Sequence, residues 1–168
     1  KVINTFMIKK LIDSDALAFL VIFIVTTVVF FGAFKIFFVQ DDYILINEFS
    51  KNGLFVDFLK SIGPAEVTHW RPMHNLYFLI TGNIFGRNYA AYHLVNILTL
   101  SLSAIFVYKT LFVLVKNRIH SVYAAIFFAV NPSHFVSLYW ISGSANLIGF
   151  LFFSISFYLF LKKHRLLY

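Results

Sequence analysis

Tyr89 to Val115 reads YAAYHLVNILTLSLSAIFVYKTLFVLV, with Lys109 its single Lys, Arg, Asp or Glu. At about 1.5 Å per residue, an apolar run of this length forms a helix that crosses a hydrocarbon core of about 30 Å. Its polar residues are ordered. Tyr92, Asn96, Thr99 and Ser103 recur at spacings of four, three and four, which places them on one helix face. In lipid, such a stripe either packs against neighbouring helices through small and hydrogen-bonding side chains or lines a substrate cavity, and both readings stand at this point.

Working outward, Ala16 to Val39 is a second long apolar run, opened by Asp13, Ser14 and Asp15, residue types that suit a helix N-terminus. It is too long for a signal-peptide core and lacks a small-residue cleavage pattern, so it is expected to be a retained anchor with Lys35 snorkelling near its far end. After Val115, Lys116, Asn117 and Arg118 form a basic turn and Ile119 to Val130 a third apolar run. Asn131 and Pro132 end or kink that run, which either stays short or resumes through Phe135 to Ile141. Ser142 to Asn146 is expected as a small polar loop, and Leu147 to Leu161 as the last apolar run, closed by Lys162, Lys163, His164 and Arg165.

Between the first two spans, Gln40 to Asn88 contains only short apolar stretches. Leu54, Phe55, Phe58, Leu59 and Ile62 recur at helical spacing with Lys51, Asp57 and Lys60 off the stripe, which predicts an interfacial helix ended by Gly63 and Pro64. Pro72 fits the first turn of another short helix that runs to Gly86 and is interfacial or re-entrant by length. The expected fold is therefore all-α: a polytopic membrane helix bundle with about four spans and interfacial helices in a long first extracytoplasmic loop. Residues 1–168 are expected to form a single transmembrane domain, the N-terminal fragment of a larger multi-spanning protein.

Composition agrees with lipid as the main solvent. Of 168 residues 60% are hydrophobic and only 12% charged, where a soluble domain carries about 25%. The net charge of +7 does not mark a nucleic-acid surface, because lysine and arginine gather in clusters at the ends of apolar runs. With no cysteine, disulfides, thiol nucleophiles and zinc-thiolate sites are excluded. An N-terminus in the cytoplasm puts Lys1, Lys9 and Lys10, the 116–118 turn, and Lys162, Lys163 and Arg165 all on that side. Loops 40–88 and 132–146 are then extracytoplasmic. Five of the seven acidic residues, Asp41, Asp42, Glu48, Asp57 and Glu66, lie in the first of them.

Asp41 and Asp42 follow the first span at the boundary between lipid and water. Adjacent helical residues point about 100° apart, so two separate jobs are expected rather than a shared proton: one a general base, the other holding a cation or an Arg, unless the pair only caps a helix. Arg71, in the string His69, Trp70, Arg71, Pro72, either grips a phosphate or anchors the loop at the interface. His69, His74, His93 and His134 would share the outer side, but their spacing matches no compact ligand motif, so no metal ligand set is assigned. There is no Gly-rich phosphate loop and no serine elbow.

The acidic pair followed by Tyr43, the string Trp70, Arg71, Pro72, the string Y-A-A-Y-H-L-V-N from Tyr89 to Asn96, Asn131 to His134, and W-I-S-G from Trp140 to Gly143 occur in an order that resembles a known family. It is similar to the N-terminal part of GT-C type membrane glycosyltransferases, the protein O-mannosyltransferases and the transmembrane-and-TPR mannosyltransferases among them. The resemblance implies transfer of a sugar from a polyprenyl-phosphate donor to an extracytoplasmic hydroxyl on a protein, lipid or glycan acceptor. It also implies Asp41 as base with Asp42 as its acidic partner, and matches Arg71 to the family's Arg-Pro step. His93, Asn96 and His134 are candidates for lining the substrate cavity; no cofactor is specified, and a divalent cation at the acidic pair stays open. The chain departs from such relatives at Asn131, Val136 and Ser144 to Asn146. The rival expectation is a non-enzymatic membrane component, a transporter subunit or assembly partner that uses the polar stripe for helix contacts.

Overall fold

In the computed structural model, residues 14–48, 54–63 and 71–165 are described. His69, Trp70 and Glu66 lie outside them, as do Lys1, Lys9 and Lys10. Among the described residues every regular element is helical: α1 (Asp15–Val29), a 3-10 turn (Phe31–Lys35), α2 (Asp41–Glu48), α3 (Leu54–Ile62), α4 (Pro72–Phe85), α5 (Tyr89–Val115), α6 (Arg118–Ala129), a 3-10 turn (Pro132–His134), α7 (Phe135–Tyr139), a 3-10 turn (Ile141–Gly143) and α8 (Ser144–Arg165). Two helices, α5 and the 23 residues Ile141–Lys163, are long and apolar enough to cross a membrane. The broken pair α6 and Pro132–Tyr139, bent by 43°, makes a third if it is counted as one span.

α5 is the axis of the bundle, packed by α1, α6 and α8. It ends where Lys116 turns left-handed at φ 56°, and the Asn117 side chain then caps α6 by accepting from the His120 N–H. A two-residue connection of this kind forces α6 to run antiparallel to α5. α8 also runs antiparallel: Leu147 joins Ile97 in one apolar cluster, and the Phe106 and Tyr158 rings lie 5.9 Å apart near the other end. The start of α1 reaches that same end, where Asp15 meets Lys109 and Arg118. Lys116, Arg118, Lys162 and Lys163 therefore collect at one end of the bundle.

Large apolar side chains such as Phe127, Ile119, Phe153 and Phe160 remain exposed on the outer surface. In lipid their exposure costs little, and cohesion must come from close packing and internal hydrogen bonds. Ala18, Ala104, Ala125 and Ala129 supply the close packing where α1, α5 and α6 meet.

The first apolar run differs from expectation. Its α-helix stops at Val29 after 15 residues, about 22 Å at 1.5 Å per residue, and the chain continues as a 3-10 turn and an extended stretch to Val39. Thr26 and Thr27 bond back to Ile22 O and Phe23 O at the end of the helix, a pattern that loosens a helical turn. Gly32 then lies so near Tyr139 that a Cβ there would sit 2.6 Å from its hydroxyl.

Two smaller expectations are also corrected. Ser142 to Asn146 is not a loop, because the 3-10 turn leads straight into α8 at Ser144. Asp57 is not on an exposed polar face either: it is 1% exposed, while Phe55, Phe58, Leu59 and Ile62 point outward. α3, which packs on α4, thus buries Asp57 and leaves its apolar stripe exposed together with Lys60. α4 begins at Pro72 and ends before Gly86, at φ 55°, where the sequence places both boundaries.

Candidate functional site

The acidic pair and the W-I-S-G string meet at one carboxylate. Asp42, 0% exposed, accepts through Oδ1 from the Ser142 N–H at 2.8 Å and the Ser142 hydroxyl at 2.5 Å, and through Oδ2 from the Val39 N–H at 2.9 Å. The Oδ2 bond folds the start of α2 back on the extended segment and sits beside Gln40, whose φ of 46° lies in the left-handed region that costs a side chain energy. A buried carboxylate with three donors is well satisfied, so Asp42 clasps the 39–42 turn to the 3-10 turn one hundred residues later.

Gly143 lets that clasp close. A Cβ on it would stand 2.8 Å from Ser137 Cα and 3.1 Å from Val136 O, so the backbone approach tolerates only glycine. The W-I-S-G string thus has a local physical reason: serine donates twice to Asp42 and glycine admits α7. Asp41 lies exposed at the start of α2. The neighbours differ as their angular separation on a helix predicts, one clasped inside and the other open to the surroundings.

His74, on the first turn of α4, joins the cluster from the other side. It is buried, hydrogen-bonds the Ser142 backbone, and among the described residues leaves Nε2 without a partner. Burial lowers its pKa below the ordinary histidine value; the bond to Ser142 and the charge of Asp42 oppose that shift, and Arg71 adds to it. Two other buried polar atoms in this region, Trp140 Nε1 and Ser144 Oγ, also have no partner. Beside them lies a cavity of about 360 Å³ walled by Arg71, just before α4, by Pro72, Met73 and His74 in its first turn, and by Ala145, Asn146, Ile148, Gly149 and Phe152 on α8. That volume is at the lower end of the range for small-ligand pockets, about 300 to 1,000 Å³.

His93, Asn96 and His134 do not line this cavity. His93 is fully buried with Nδ1 2.8 Å from Leu138 O and Nε2 3.0 Å from Ile36 O, so it serves the backbone exactly where α7 ends and the first run has lost its helix. Irregular backbone at membrane depth needs such internal partners. Asn96 accepts from the Tyr77 hydroxyl at 2.9 Å and reaches Ser137 O at 3.5 Å. Of the polar stripe, Asn96 ties α5 to α4 and α7 and the Tyr92 hydroxyl reaches Gly86 O, while Thr99 and Ser103 are satisfied within α5. His134 turns back through Nε2 to Phe128 O at 2.9 Å, beside the break made by Pro132.

Arg71 is a site candidate from its sequence context, whereas His74 and Asn146 join the cavity only in the folded chain. The signal for His74 was its place three residues after Arg71, in the first turn opened by Pro72; the approach of α8 could not be read from it. Among the described residues no three His, Asp or Glu side chains converge as a metal site.

The fold and site define a membrane-type helix bundle with a polar cluster where α2, α4 and α8 begin. Comparison of the chain with protein-family models, curated proteins and solved structures returned no match.

Proposed function

We propose that this chain carries the front of a membrane glycosyltransferase that moves a sugar from a polyprenyl phosphate to an extracytoplasmic hydroxyl. The observation that supports it is the convergence of the acidic pair with the W-I-S-G turn beside a cavity walled by Arg71, His74 and apolar side chains. A lipid phosphate is already a reasonable leaving group, so such an enzyme must position the acceptor, take its proton and stabilise the phosphate charge. Asp41, exposed beside the clasp, is the base in this scheme; Asp42 positions it, and Arg71 faces the phosphate.

Four crossings fit the scheme. α1 at about 22 Å and the five-residue 3-10 turn at about 2.0 Å per residue together reach about 32 Å when laid end to end. α5, the bent α6–α7 pair and α8 supply the other three. The basic end is cytoplasmic by the positive-inside rule, with the Asp42 cluster on the far side.

The polar stripe is spent on bonds within this chain, which the rival assembly-partner reading also accommodates. Asp41→Asn in the intact membrane protein abolishes consumption of polyprenyl-phosphate sugar and leaves membrane insertion unchanged. Normal turnover in that variant removes Asp41 from the mechanism, and no turnover by the unmodified protein with any such donor removes the transferase.

A further inference from the structure

The basic end of the bundle holds a guanidinium whose charge is not fully matched. Arg118 opens α6 beside the end of α5, with its side chain 21% exposed and its guanidinium 5.5 Å above the Tyr108 ring. Among the described residues its acidic neighbour is Asp15 at 4.0 Å, beyond hydrogen-bond reach. Asp15 is already held by the Tyr108 hydroxyl at 3.1 Å and by Lys109 Nζ at 3.4 Å, so one carboxylate serves two cations. Lys116, exposed in the turn between α5 and α6, adds positive charge close by. Arg118 Nη2 is buried and, among the described residues, has no hydrogen-bond partner, a deficit that costs free energy. On the same helix Ile119 and Tyr123 stand one turn apart, both exposed. These surroundings suit an anion that carries hydrocarbon.

We propose that the junction of α1, α5 and α6 binds the headgroup of one acidic phospholipid. Arg118 turns its unused donors to the phosphate, Lys109 and Lys116 add charge, and an acyl chain runs along Ile119 and Tyr123. A guanidinium suits the role because its fork matches phosphate oxygens and is weakly hydrated, and basic pockets between membrane helices hold acidic headgroups by this chemistry. A lipid is the occupant because a free phosphate would leave the apolar flank unused. Asp15 competes with it. The carboxylate repels the headgroup and keeps Lys109 and Arg118 engaged, so loss of its charge strengthens lipid binding. The site lies at the opposite end of the bundle from Asp42 and does not rest on the transferase reading.

The test is a titration of the intact membrane protein in neutral detergent with dioleoyl phosphatidylglycerol, bound lipid being counted by native mass spectrometry and dioleoyl phosphatidylcholine serving as the reference. Phosphatidylglycerol should bind roughly 10-fold more tightly than phosphatidylcholine. Arg118→Gln should abolish most of that preference, Arg118→Lys should keep part of it, and Asp15→Asn should raise phosphatidylglycerol affinity by about 2-fold to 5-fold. Lys162→Gln combined with Lys163→Gln removes more charge from the same end, yet should lower the preference less than Arg118→Gln does. Equal affinity for the two lipids overturns the proposal. So does a loss in the doubly substituted protein as large as that in Arg118→Gln, which would mark diffuse attraction to the basic end. Displacement of the lipid by millimolar inorganic phosphate overturns the lipid as occupant. If Arg118→Gln does not fold, Asp15→Asn decides: unchanged or weakened binding there overturns the proposal.

Discussion

Two aspartates at opposite ends of the bundle solve the same problem differently. Asp15, at the basic end, has a side chain 54% exposed and meets the Tyr108 hydroxyl at 3.1 Å, Lys109 Nζ at 3.4 Å and Arg118 at 4.0 Å. Arg118 also lies 5.5 Å above the Tyr108 ring. Asp42 is fully buried, and among the described residues its donors are neutral: two backbone N–H groups and one hydroxyl. Where water reaches, a carboxylate can be shared loosely among mobile cations; where it does not, fixed dipoles hold the charge with defined geometry. The first arrangement ties helix ends together and the second shapes a site.

The largest effect that separates them is removal of Asp42. Asp42→Ala leaves two backbone N–H groups and a hydroxyl without an acceptor, and should lower stability by about 3 to 5 kcal/mol in denaturant unfolding in detergent. Ser142→Ala, which keeps the backbone donor, should cost less. Next comes the glycine that lets the clasp close. Gly143→Ala pushes a Cβ into the backbone of α7, and a loss of about 1 to 3 kcal/mol is expected by the same measurement. Smallest is Asp15→Asn, below about 1 kcal/mol and vanishing at high salt, because exposed ion pairs are screened. Should Asp15→Asn destabilise as much as Asp42→Ala, the contrast between the two ends fails.

Much of the fold was legible because lipid imposes simple rules. The apolar length of α5, the break at Pro132, the start of α4 at Pro72 and its stop at Gly86 follow from local chemistry and hydropathy alone, whereas α8 begins at Ser144, before the Leu147 start that hydropathy gives. The shortening of α1 was not legible. It depends on Gly32 meeting Tyr139 and on His93 accommodating the backbone at Ile36, contacts between residues far apart in the chain. Asp57 was misjudged for a related reason: the exposed stripe of α3 is apolar, and a sequence pattern cannot say which of two faces meets protein and which meets lipid.

The candidate site divides the same way. Asp41, Asp42 and Arg71 were visible as charges in a chain that has few, and the angular separation of adjacent residues made different surroundings for the two aspartates the expectation. Only the packing of α2, α4 and α8 decided that Asp42 is the buried partner of Ser142 and that His74 completes a cavity with Asn146. By itself the sequence determined that α5 is a long apolar helix, where α4 starts and stops, and which ends carry positive charge, since hydropathy and capping act over a few residues. The tertiary structure decided which polar groups meet, because in lipid the closing of a site rests on hydrogen bonds and close approaches between elements up to one hundred residues apart.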